Sequence, residues 1–146
     1  MRASVAGRST VVGTSLRAIA SLYGVANKGF RLREVGVFNT TTTGVAVSLV
    51  RFTNATGVGS ALTRVVWDED KDTIGTQCTA FAGHTADGAV GSPIRQASLG
   101  AVVGSGVIWT FGEYGFEVKA GTTNGCGIIC PTGSGQILDY YYDWEE

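Results

Sequence analysis

Cys78, Cys126, Cys130 and the lone His84 are the residues whose types suit nucleophilic or metal chemistry. A thiol or hydroxyl nucleophile needs a base, and His84 is the only imidazole in the chain. A Cys78/His84 pair is therefore one arrangement the sequence leaves open. No serine sits in a Gly-x-Ser-x-Gly elbow, because Gly104-Ser105-Gly106 and Gly133-Ser134-Gly135 lack that spacing. Cys126-Gly-Ile-Ile-Cys130 meets a zinc-knuckle spacing only loosely, and it lies in a segment that reads as strand. At ~3.3 Å per residue, the two cysteines would stand ~13 Å apart there, too far for a disulfide. The plainer reading is three small buried hydrophobes and a surface histidine in a glycine-rich stretch. It implies no metal, no cofactor and no catalytic residue.

Asp68-Glu69-Asp70-Lys71-Asp72 is the one charge cluster. Its Asp-x-Asp-x-Asp spacing resembles the start of a calcium loop, but Thr73 stands where glycine is needed and Thr79 where the closing glutamate belongs. A solvated turn, or a salt-bridge patch for a basic neighbour, accounts for it better. Gly57-Val58-Gly59 fits neither dinucleotide nor phosphate-loop spacing. Tyr140-Tyr141-Tyr142 with Trp144 has two readings. One is a sugar-stacking platform; the other is core plus oligomer interface, which alternate aromatics on a terminal strand favour.

The elements that must position these residues look all-β. Twenty-two glycines punctuate short runs of Val, Ile, Thr and aromatics, and only two prolines occur. At 146 residues the chain suits one domain, able to bury about 68–70% of its unfolded surface without metals or disulfides. Charged residues make up 16% of the chain against a usual ~25%, so part of the surface is expected to be covered by a partner. Eleven basic and twelve acidic residues give a formal charge of −1, which speaks against direct nucleic-acid binding. The N-terminal residues lack an apolar signal core, and Leu99 to Phe111 is too short and too glycine-broken to span a bilayer. A soluble, cytoplasmically made protein with no membrane partner is expected.

Element by element, residues 15–24 fit helix and strand equally and are assigned to strand by their surroundings. Phe30 to Phe38 alternates, then changes parity at Val35, which predicts a β-bulge near Glu34 to Gly36 or burial of both faces beyond it. Val45 to Phe52 is a strand expected to form a hairpin with 30–38 across Asn39 to Gly44. Leu62 to Trp67, Val107 to Phe111, Gly115 to Lys119, Gly125 to Cys130 and Gln136 to Trp144 read as further strands. Residues 68–106 read as a long, weakly patterned region, with a short strand-like piece over Thr76 to Ala82 and a helical turn allowed over Pro93 to Leu99, and as the best candidate for partner contact. About eight strands at this spacing predict a single antiparallel β-sandwich, jelly-roll-like, over 15–146, with residues 1–14 as an extended arm.

Several of these segments resemble small virion proteins of tailed bacteriophages. The likeness is carried by Leu16 to Tyr23, by Lys28-Gly29-Phe30-Arg31-Leu32-Arg33-Glu34-Val35-Gly36-Val37, and by the Thr-rich turn with its apolar strand. It continues through Gly106-Val107-Ile108-Trp109-Thr110-Phe111 and Gly133-Ser134-Gly135-Gln136 into the aromatic strand ending Asp143-Trp144-Glu145. The resemblance implies a capsid decoration (cement) protein on the virion exterior. Its partners would be the major capsid protein and further copies of itself, as dimer or trimer. Expected interface residues are Arg2 and Arg8 on the arm, Asp68, Glu69, Asp70 and Asp72, and Tyr140, Tyr142 and Trp144. The alternative expectation is a carbohydrate- or receptor-binding module of a tail or fibre, resting on Trp109, Tyr140, Tyr142 and Trp144.

Overall fold

The computed structural model describes residues 1–69, 77–132 and 135–146. These residues contain no α-helix, and they form twelve strands in two antiparallel sheets that pack as a β-sandwich. The strands are β1 (Arg2–Arg8), β2 (Ala20–Tyr23), β3 (Phe30–Asn39), β4 (Val45–Phe52), β5 (Ser60–Ala61) and β6 (Val65–Val66), then β7 (Thr79–Ala82), β8 (Val90–Leu99), β9 (Gly106–Thr110), β10 (Phe116–Val118), β11 (Gly125–Ile129) and β12 (Leu138–Glu145). The front sheet runs β10-β3-β12-β1-β6, with β9 also on β3; the back sheet runs β5-β7-β2-β11-β4-β8.

Strand alternation builds the core. Ala3 and Val5 of β1, Val35 and Val37 of β3, and Leu138, Tyr140, Tyr142 and Trp144 of β12 face the back sheet. Ala20 and Leu22, Val45, Val47 and Leu49, and Cys126 and Ile128 answer from β2, β4 and β11. The parity change in β3 is a bulge: Asp143 pairs with Glu34 but Trp144 pairs with Leu32, which leaves Arg33 as the extra residue. It falls one residue before the predicted span, and it lets Phe30, Leu32, Val35 and Val37 all point inward.

The central strands β2 and β11 of the back sheet are buried on both faces. Its outer side chains, Tyr23, Val50, Phe52 and Ile129, form a second cluster with Ala18, packed by Ala55, Val58, Phe81 and Val90. Segments around 16–18, 54–58 and 83–89 tie down over this cluster. His84 N–H donates to the Ala18 carbonyl, Gly88 N–H to that of Leu16 and Thr85 N–H to that of Gly57. This roof explains why β2 and β11 are buried at every position where a half-exposed strand would alternate.

Four expectations need correction. Residues 2–8 are not a free arm but a strand between β12 and β6, because Ala3 and Val5 carry an inward alternation hidden among Arg, Ser and Gly. β3 and β4 do not form a hairpin: β3 joins the front sheet and β4 crosses to the back sheet. The region 68–106 is less irregular than its composition implies: β7 falls on the strand-like piece read there, and the ten-residue β8, which was not read, lies beyond it. Pro93 sits in β8, with no helical turn; β8 is an edge strand, where a missing N–H costs no ladder bond. No helix of the described residues is long and apolar enough to cross a membrane.

Candidate functional site

His84, expected at the surface, is buried. Its ring stacks on Phe52 at 5.4 Å and on Tyr23 at 6.4 Å, and Nε2 shares a 2.7 Å hydrogen bond with Ser21 Oγ. Burial holds its pKa below the ordinary imidazole value. Ser21 and His84 together resemble part of a nucleophile–base pair, yet Ser21 is wholly enclosed and His84 is 3% exposed under the roof. Cys78 is placed elsewhere, its N–H donating to Glu146 Oε2 and its thiol to the Gly29 carbonyl. All three cysteines are free thiols buried in the core, as read from sequence. Burial pushes each thiol pKa up, that of Cys126 to about 12, so none has thiolate character near neutrality.

The predicted interface residues divide. Tyr140, Tyr142 and Trp144 are 0–2% exposed, so they give no side chain to a partner. The reason is the period of two: the even positions of β12 face the back sheet, and the odd positions Asp139, Tyr141 and Asp143 face outward. Trp109 also faces inward, at 8% exposure. Arg2 and Arg8 are exposed on β1. The Arg2 guanidinium lies 3.8 Å over the Trp67 ring, and Arg8 pairs with Asp139 at 2.7 Å. Glu69 is exposed and Asp68 half-buried; Asp70 and Asp72 lie outside the described residues.

What remains open is the outer face of the front sheet. Its cross-strand rows follow from the register. One row carries Ser4, Asp143, Glu34 and Thr110; the next carries Ala6, Tyr141, Gly36 and Ile108; a third carries Arg8, Asp139, Phe38 and Gly106. Tyr141 lies flat over Gly36, where a Cβ would meet the ring at 2.0 Å, and Phe38 lies over Gly106, where a Cβ would meet it at 2.2 Å. The two rings run nearly parallel, 24° apart, with centroids at 6.4 Å, so they tile one layer above the sheet. The Tyr141 hydroxyl donates to Glu34 Oε1 at 2.6 Å, which pins the ring; burial and Glu34 both raise its phenol pKa. Burial raises the Asp143 carboxyl as well, helped by the facing Glu34 carboxylate.

No family model, curated protein or solved structure matches the chain.

The back sheet uses the same device. Tyr23 lies against Gly125 and Phe52 against Gly127, where a Cβ would meet the rings at 2.6 and 2.7 Å. There His84 and the loop layer cover the rings. Among the described residues no segment crosses the corresponding pair on the front sheet, and Ala6 and Ile108 beside it are exposed. Sequence reasoning missed Phe38 and named Tyr141 only within the Tyr140-Tyr141-Tyr142 tandem, while resting the saccharide reading on its inward-facing neighbours. The signal present was Gly36 and Gly106, each directly opposite an aromatic residue.

Two open grooves of about 400 and 510 Å³ flank Glu117 to Lys119 at the edge of the sandwich. Neither is lined by His84 or a cysteine. Arg51 closes part of this edge, its guanidinium 4.0 Å over Phe116 and its Nη2 donating to the Glu117 carbonyl.

Proposed function

We propose that this chain is a structural virion protein, a decoration (cement) module. It docks in many copies onto the major capsid protein on the outside of a phage shell, and associates with itself as a dimer or trimer. The observation that carries this reading is the placement of exposed apolar side chains at two separate sites. Val102 and Val103, 67% and 63% exposed, stand on the turn between β8 and β9. Val65 and Trp67, 62% and 52% exposed, stand on and beside the short edge strand β6. Single exposed apolar residues are ordinary, but adjacent pairs on a surface with few charges favour contact with another protein. Two such sites on a rigid sandwich suit a module that bridges neighbours, where weak contacts are multiplied by symmetry. The low charged fraction supports the same reading.

Density-gradient fractionation of the native source, with copies per particle counted by quantitative mass spectrometry, tests it. Many symmetric copies on virus-sized particles are expected, with Val102→Asp/Val103→Asp lowering occupancy in a protein that still folds. Recovery only in the soluble fraction would remove the virion reading.

A saccharide- or receptor-binding module of a tail or fibre is the second reading, favoured by the half-buried, tiled rings of Tyr141 and Phe38. It no longer rests on Trp109, Tyr140, Tyr142 or Trp144, which face inward.

A further inference from the structure

We propose that the outer face of the front sheet binds an uncharged saccharide chain, with pyranose rings stacked on Tyr141 and Phe38 and their hydroxyls donating to Glu34 and Asp143. The inference rests on the saccharide-binding reading and gives it a site and a ligand class. It does not depend on which part of a particle carries the protein.

Three observations point to a sugar. First, the rings lie flat and side by side over glycines, 24° apart. Such a layer presents π-faces in one plane, and a pyranose offers the matching flat C–H surface. A protein partner is ordinarily met by side chains that project into pockets, so these flattened rings suit it less. Second, the rings are held before any ligand arrives. Gly36 supports Tyr141 from below and Glu34 fixes its hydroxyl at 2.6 Å, so little rotamer freedom is lost on binding. Third, the adjacent row carries hydrogen-bonding groups at the spacing of neighbouring strands: Ser4, Asp143, Glu34 and Thr110.

Glu34 and Asp143 stand directly opposite each other, and among the described residues neither makes an ion pair. Like charges facing across a ladder are unfavourable, and ionised carboxylates only accept hydrogen bonds. A ligand rich in hydroxyl donors satisfies both, through bonds strengthened by the carboxylate charge. The same two groups repel anionic sugars, hence an uncharged chain. The back sheet supplies the internal contrast: its equivalent rings, Tyr23 and Phe52, are fully buried under the protein's own segments, while these are only half-buried.

The test is a titration of the isotope-labelled full chain with cellotetraose, maltotetraose and chitotetraose, followed by amide shifts. Shifts gathered around Gly36, Ile108 and Tyr141 are expected with at least one of the three. Tyr141→Ala and Phe38→Ala should each weaken binding at least about tenfold, Tyr141→Phe, which keeps the ring but loses the bond to Glu34, should weaken it by less than that, and the exposed Tyr114→Ala should stay within about twofold. Tyr141→Leu keeps an apolar cover on Gly36 without a ring face, and it serves if the alanine variant fails to fold. Binding that shifts other residues, or that survives loss of either ring, overturns the site but leaves the saccharide reading. No binding to any of the three probes overturns site and reading together.

Discussion

The imidazole of His84 has Phe52 and Tyr23 against its ring, Ser21 on Nε2, and no hydrogen-bond partner for Nδ1 among the described residues. Charging it would place a cation among aromatic carbons, which is why its folded pKa lies below the ordinary ~6.5. Between those two values the unfolded chain binds more protons than the folded one. Stability therefore falls as pH drops below about 6.5 and through the folded value. Thermal melts from about pH 7.5 to about pH 5.5 should show this decline, and His84→Leu should flatten it. The same slope in the variant would assign the effect to other groups. Asp139 and Glu145 act lower on the scale. Arg8 and Arg33 hold their pKa values below the usual carboxylate range, so what they contribute is lost only as pH falls through those depressed values.

Among the elements, β1 has the most direct test. It pairs with β12 over seven residues and with β6 on its other side, and it puts Ala3 and Val5 into the core. Removing residues 1–8 should therefore abolish folding, read as loss of dispersed amide shifts. A free arm would leave the spectrum of the core intact. The failure to read β1 from sequence has a physical source: its inward residues are small, and its outward ones include Ala6, so apolar contrast across the strand is slight. β4 was legible as a strand, with Val45, Val47 and Leu49 on one face and Val50 and Phe52 on the other, but not its neighbours. Alternation reports which face is buried and says nothing of which sheet a strand joins. In β12 the two faces were separable from sequence, yet the choice of the inner one was not. Large amphipathic rings suit a core and an interface equally, and only the opposing β2, β4 and β11 decide. The open face was illegible for a related reason, since the roof over the back sheet is assembled from three distant segments.

At the scale of the whole molecule, one buried hydrogen bond crosses between the sheets at the heart of the core. Tyr142, fully enclosed on β12, donates from its hydroxyl to the Ala20 carbonyl of β2 at 2.8 Å. Tyr142→Phe keeps the ring and removes the bond, so it should cost about 0.5–1.5 kcal/mol and a few degrees of melting temperature without changing the fold. An unchanged melting curve would mean that ring packing alone joins the sheets. The remaining cohesion is apolar, spread over Trp144, Leu32, Leu49, Ile128 and their neighbours, with no disulfide among the described residues.

The glycines beneath the rings tie distant positions of the chain together. Gly36 is kept from becoming alanine by a tyrosine more than a hundred residues away, and Tyr141 can lie flat only while position 36 has no side chain. At Gly106, Gly125 and Gly127 a Cβ would meet, besides the rings of Phe38, Tyr23 and Phe52, the backbone oxygens of Val37, Leu22 and Ala20 at 2.6, 2.8 and 2.9 Å, so these glycines stay fixed whatever becomes of the ring. Gly36 and Tyr141 differ: they behave as one heritable unit, in which either member drifts only if the other follows. Among descendants of this sequence a lineage that loses the ring at 141 is free to fill position 36, while 106, 125 and 127 remain glycine.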